Sequence, residues 1–306
     1  MIESYVAARN RYLEDETDGD AFDVAKILAR RLYESGALHV MDDECVEGGI
    51  AVPDVEHPSF KFKKYDCTEE GIRRVRQKSR DTEYFRNDPN FHMAGTISYY
   101  TYGDIVISEE EFVEGPTLDT VFTDILTEQD QALKDQITRM AVMRVAYWHE
   151  IADPLRLVPR QCEAVRDTYM EKMKAFFDGF APRADVSMGE EALQAAYDAI
   201  EEQFGSMVFD EATVRRRLDP RATNIVFRSD SMVPSREEVY AALSVDKEGS
   251  VSISDLNGRI VHIDTDTRDG HYMDDIVLLL MTLGVPHERQ GRFMRAYHLT
   301  RASLGG

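Results

Sequence analysis

The sequence predicts an α+β protein, with a small, mostly antiparallel sheet in its first third and a larger, mainly helical body after it. Three observations lead there. Short apolar runs between about Val40 and Val113 have the texture of strands. From Leu118 onward, apolar residues mostly recur at helical spacing. Between the two textures lies Glu114-Gly115-Pro116, where Gly and Pro break the chain. The division this implies is a small unit over residues 1–113 and a helical unit over residues 114–306.

The elements follow in order. Residues 3–39 read as helical, through Val24, Ile27, Leu28, Leu32 and Leu38, with a break at Asp18-Gly19-Asp20 and an end at Gly36. Gly48-Gly49 suits a tight turn between strands. Phe60 to Tyr65 partly alternates apolar and polar, as an amphipathic strand does. Residues 68–86 form a charged surface helix with Thr68 as its N-cap, and Asp88-Pro89-Asn90 ends it. Thr96 to Tyr102 and Ile105 to Val113 read as a hairpin turning at Gly103-Asp104. Leu133 to Ile151 carries a long apolar stripe, and helices follow over 162–178 and 190–204. Asn224 to Phe227, Tyr240 to Val245 and Ile260 to Ile263 read as short strands. Helical texture returns from Asp274 to the end.

Composition narrows the function. Apolar residues make up 43% of the 306 and charged residues 30%, which fits a globular chain. No apolar run is long enough to span a bilayer, and the polar start shows no signal peptide. Three scattered cysteines, Cys45, Cys67 and Cys162, form neither a disulfide framework nor a zinc pattern, so a cytoplasmic setting is expected. The net charge of −21 argues against a nucleic-acid partner. It suits either a cationic substrate or simply a well-solvated acidic surface.

The chemistry-bearing stretch is Leu218-Asp219-Pro220-Arg221-Ala222-Thr223-Asn224, followed by the apolar Ile225-Val226-Phe227. Such a loop sets a carboxylate beside an acceptor hydroxyl and an amide oxygen near a divalent cation. Taken alone, it is also what an ordinary Asp-Pro-Asn turn looks like. Later, Val261-His262-Ile263 runs into Asp264, a second carboxylate able to hold Mg²⁺ against phosphates. The histidines lack zinc spacing, and His149 on its apolar helix reads as a packed side chain.

In its order of features the chain resembles the aminoglycoside phosphotransferase and choline kinase-like families, relatives of the protein kinases. The pieces are the Asp219–Asn224 loop, the strand ending at Asp264 and Met273-Asp274-Asp275-Ile276 opening a helix. Before them stands Glu111-Phe112-Val113-Glu114-Gly115-Pro116-Thr117-Leu118, similar to the interlobe hinge of those families. Val142 to His149 and Phe293-Met294-Arg295-Ala296-Tyr297 resemble two of their helices, so the likeness covers roughly residues 46–300. It implies a two-lobed protein-kinase-like fold and transfer of the γ-phosphate of ATP, with Mg²⁺, to a hydroxyl of a small molecule. An amine-bearing acceptor is the family's suggestion. By the same likeness Asp219 is the catalytic residue, Asn224 and Asp264 hold the metal, and Asp275 braces the loop. The backbone of Glu111 to Val113 would meet adenine. Lys63 would grip phosphate, with Lys61 and Lys64 as alternatives, and Glu83 would be its partner.

Three departures stand out. Arg217 occupies the place of a family His, Thr265-Asp266 follows the metal Asp, and Gly48-Gly49 is a poor glycine-rich loop. Asp266 either adds a carboxylate to the metal or caps the next turn. These features also fit a catalytically weak relative that binds nucleotide or a protein partner, and the third reading is an unrelated helical scaffold.

Overall fold

The protein is described by a computed structural model covering residues 1–35, 38–42, 50–53, 55, 58–184, 202, 206–246, 250–263 and 268–305. Gly36, Gly48-Gly49, residues 190–201 and 203–204 of the expected helix, and Asp264, Thr265 and Asp266 lie outside the described residues.

Helices α1 (Ile2–Glu14) and α2 (Gly19–Glu34) meet at the expected break. The Asp18 carboxylate caps α2 by accepting the Ala21 N–H at 3.0 Å. A five-stranded antiparallel sheet follows, ordered β1-β2-β3-β5-β4. Its strands are β1 (Leu38–Asp42), β2 (Ile50–Pro53), β3 (Phe60–Asp66), β4 (Thr96–Thr101) and β5 (Ile105–Glu111). Helix α3 (Glu69–Phe85) crosses from β3 to β4. The Thr68 hydroxyl accepts the Gly71 N–H at 3.1 Å and starts it.

Alternation along β3 decides what each face of the sheet touches. Phe60 and Phe62 join Tyr5, Ala25, Ala29 and Leu32 in a core between the sheet and α1–α2. On the other face, Tyr65 and Val106 pack on Val75 of α3. The sheet is therefore covered on both sides, and its central strands are buried although they carry charge. Glu109, on the α1 face, accepts the Tyr5 hydroxyl at 2.6 Å and the Ser98 hydroxyl at 2.9 Å.

The chain then passes through the short helix α4 (Leu118–Thr120) into α5 (Gln131–Ile151) and α6 (Cys162–Ala184). Two small antiparallel ladders follow, β6 (Val214–Arg216) with β9 (Asp269–His271), and β7 (Ile225–Phe227) with β8 (Ile260–His262). Helices α7 (Arg236–Ala242), α8 (Ile253–Arg259), α9 (Tyr272–Thr282) and α10 (His287–Leu304) complete the body. Its core runs through Trp148, Ile137, Val145, Leu218, Ile225, Leu279 and Tyr297. No helix among the described residues is long and apolar enough to cross a membrane.

The expected strand at Tyr240 to Val245 is corrected: α7 runs to Ala242 and leaves a turn after it. Ser235 and Glu238 form a reciprocal capping box, which starts a helix regardless of the aromatic and β-branched residues that follow. The final helical stretch is also divided, because Gly284 adopts a left-handed φ of 64° and Pro286 follows.

Gly115 joins the sheet region to the body with a φ of 136°. A side chain there would bring its Cβ to 2.0 Å from the Phe227 carbonyl oxygen. That approach lets Phe227 donate to the Pro116 oxygen and Ser229 to the Glu114 oxygen. Gly115→Ala is expected to cost about 1–3 kcal/mol, because both the φ and the space forbid it. A urea denaturation midpoint equal to wild type would contradict this.

Candidate active site

The loop between β6 and β7 is held from beneath by one buried carboxylate. Asp275, 1% exposed near the start of α9, accepts the Leu218 N–H at 2.6 Å and the Arg217 Nε at 3.1 Å. His149 Nε2 lies 3.1 Å from the same carboxylate, and His149 Nδ1 lies 2.7 Å from the Tyr297 hydroxyl. His149 is thus the packed side chain its apolar helix suggests, and it also orients the brace. Trp148 donates its indole N–H to the Arg216 carbonyl at 3.1 Å, and the Ala222 N–H is held by the Thr282 hydroxyl at 3.0 Å.

On this support Asp219 takes a left-handed φ of 52°, a conformation Asp tolerates better than most residues. Its carboxylate lies 3.1 Å from Arg221 Nε and 3.2 Å from Asn224 Nδ2. Asn224 Nδ2 also reaches the Asp219 carbonyl at 3.1 Å. With the amide nitrogen committed in this way, Asn224 Oδ1 is the end left to coordinate a cation. The Asn224 carbonyl accepts the N–H of Ile263, the residue before Asp264, at 3.0 Å. The structure therefore brings Asp219 and Asn224 together. Asp264 itself lies outside the described residues.

At the end of β5, Glu111 donates its N–H to the Gly95 carbonyl and Phe112 donates to the Ser59 carbonyl. The Val113 N–H has no hydrogen-bond partner among the described residues. Val113 packs with Ala94, Val226, Val261 and Ile263, an apolar group between the segment after β5 and the β7–β8 ladder. The Glu111 carboxylate pairs with Arg228 at 2.9 Å.

On the α3 face of the sheet, Lys61 lies 3.7 Å and Lys78 3.8 Å from Glu110. Lys63 is buried on the same face, with its ammonium 5.6 Å from the Tyr65 ring centre. Glu83 is exposed on α3 and belongs to neither of these ion pairs. Sequence reasoning missed Glu110, which stands directly opposite Lys61 in the β3–β5 register. It also missed Asp81, fully buried on α3, which pairs with Arg216 through a 2.7 Å bond from Nη1 and a second bond from Nη2. This pair ties α3 to the strand that leads into the Asp219 loop.

Asp274, beside the brace, is the strongly shifted carboxyl of the region. Burial, reinforced by the neighbouring Asp275 charge, pushes it up to about 7. The folded chain therefore holds this proton more tightly than the unfolded one. Its contribution to stability is full below about pH 4 and is lost as pH rises through about 7. Asp274→Asn should remove that dependence and gain on wild type by on the order of 1–2 kcal/mol between about pH 5 and pH 8. Parallel melting curves against pH would refute this by showing the same slope for both proteins.

No family model matches the chain, and no curated protein matches it. Among solved structures it is similar to a microcompartment-associated aminopropanol kinase. The identity is 13%, the TM-score is 0.47, and the match covers 90% of this chain and 80% of that one. A likeness at this level leaves the functional reading to the geometry of the site.

Proposed function

We propose that the chain is a two-lobed, protein-kinase-like phosphotransferase that moves the γ-phosphate of ATP to a hydroxyl of a small molecule. The observation that carries this reading is the buried Asp275 brace, which fixes a left-handed Asp219 beside Asn224. A surface turn needs no such support. Asp219 orients the acceptor hydroxyl and takes its proton as the oxygen attacks phosphorus in line. Positioning and charge stabilisation supply most of the rate in this chemistry, so a rigidly held loop matters more than an unusual nucleophile.

The donor set fits a magnesium ion, because Asn224 Oδ1 and the carboxylate of Asp264 are hard oxygen ligands. The ion would neutralise charge on the transferring phosphates. The Val113 N–H and the apolar group around it suit an adenine edge and face. Lys63 or Lys61 would approach the phosphates from the sheet.

The test is nucleotide binding. At about a hundredfold excess over Kd, a ligand bound only by the folded state stabilises it by about 2.7 kcal/mol. ATP with Mg²⁺ should therefore raise the melting temperature, and ADP should form when a suitable alcohol is added. Absence of any shift at millimolar nucleotide would sink the proposal.

A further inference from the structure

A cleft of about 420 Å³ opens beside the brace, bounded by α3, the segment before α6, α6 itself and β9. Its lining runs against the charge of the chain. In a protein of net charge −21, the described lining residues include five cations, Arg73, Arg156, Lys172, Arg217 and Arg268. They include three acids, Glu70, Asp269 and Asp274.

The acids are largely spent. Glu70 is held by Arg73 at 2.6 and 2.8 Å and by Arg74 at 3.0 Å. Asp269 is held by Arg156 at 2.5 Å and by the Gln161 N–H at 3.1 Å. Burial raises Asp274 to about 7, so near neutral pH it carries its charge only about half of the time. Arg73 and Arg156 are taken up by those same pairs, but Lys172 and Arg217 are not. Lys172 is exposed and has no carboxylate partner among the described residues. Arg217 uses its Nε for Asp275, while its two terminal nitrogens have no partner among the described residues.

Two further groups among the described residues lining the cleft are buried and make no hydrogen bond, the Tyr169 hydroxyl and Arg156 Nη1, of which Nη1 faces the Asp153 carboxylate at 3.9 Å. The Tyr169 hydroxyl has no such neighbour among the described residues, and as a donor it can be satisfied by an acceptor oxygen. An orphaned donor of this kind is costly unless something supplies that oxygen.

We propose that this cleft binds an anionic oxygen group, a carboxylate or phosphate, of the acceptor alcohol. The word acceptor rests on the phosphotransferase reading; the anion site does not. Net charge taken over the whole chain suggests a cationic ligand, but a ligand in the cleft feels nearby charges first. Arg217 links the site to the chemistry. It stands two residues before Asp219 and shares Asp275 with the Leu218 N–H, so an anion drawn to its fork sits against the braced loop.

Binding to the full chain would be measured by calorimetry at matched ionic strength. The probes are inorganic phosphate, glycerate and glycerol 3-phosphate, set against glycerol and ethanolamine. At least one of the two anionic alcohols should bind more than about tenfold tighter than glycerol, and which one does so separates carboxylate from phosphate. Lys172→Glu, at an exposed helical position that leaves folding intact, should weaken that binding by about tenfold. The inference is overturned if glycerol or ethanolamine binds as well as the anions. It is equally overturned if anion affinity is unchanged in both Lys172→Glu and Arg217→Gln. ATP–Mg²⁺ binding by the same samples keeps the two proposals apart. Nucleotide binding without anion binding rejects only the cleft, and anion binding without nucleotide binding rejects only the phosphotransferase.

Discussion

Asp219→Asn is expected to lower phosphoryl transfer by about 10²- to 10⁴-fold while leaving ATP–Mg²⁺ affinity nearly unchanged. The substitution is well matched to the backbone. Asn tolerates the left-handed φ of 52° that Asp219 adopts, so the loop has no reason to rearrange. It keeps the volume and one acceptor oxygen, but it loses the charge that draws a proton from the acceptor hydroxyl. Thermal stability should stay close to wild type. The measurement is ADP formation with a panel of alcohols, run beside nucleotide titration. Turnover near the wild-type level would show that Asp219 is not the catalytic carboxylate.

Asp275→Ala should be the most destabilising change near the site, costing about 3–5 kcal/mol. Three donors converge on this one carboxylate at 2.6 to 3.1 Å, and it is 1% exposed. Removing it strands the Leu218 N–H in a dry interior and leaves Arg217 without its counter-charge. The loop bearing Asp219 would then lose its support, so activity should fall even where the chain stays folded. Asp275→Asn gives the graded control, since its oxygen still accepts while its charge is gone. Chemical denaturation within about 0.5 kcal/mol of wild type for the alanine variant would mean that these bonds do not hold the loop.

The parts of the fold that were legible in the sequence share a cause. The break at Asp18-Gly19, the Thr68 cap, the β3 strand and the Asp219–Asn224 loop are each written within a few consecutive residues. Caps, alternation and turns act over that same short range. Tyr240 to Val245 misled because its aromatic and β-branched texture hid a helix start encoded five residues earlier, at Ser235. Glu110 and Asp81 carried no local mark at all. Each is one acid among 57, and only its position against a strand or helix from elsewhere in the chain singles it out.

By itself, then, the sequence determined the α+β order of elements and the Asp219–Asn224 loop, with Asp275 marked as its brace through resemblance. It did so because those features depend on residues near one another in the chain. The tertiary structure alone decided which buried charges pair, Lys61 with Glu110 and Arg216 with Asp81. It alone gathered cations into a cleft within an acidic protein. Charge acts through distance in space, and the net figure of −21 averages over distances that only the fold defines.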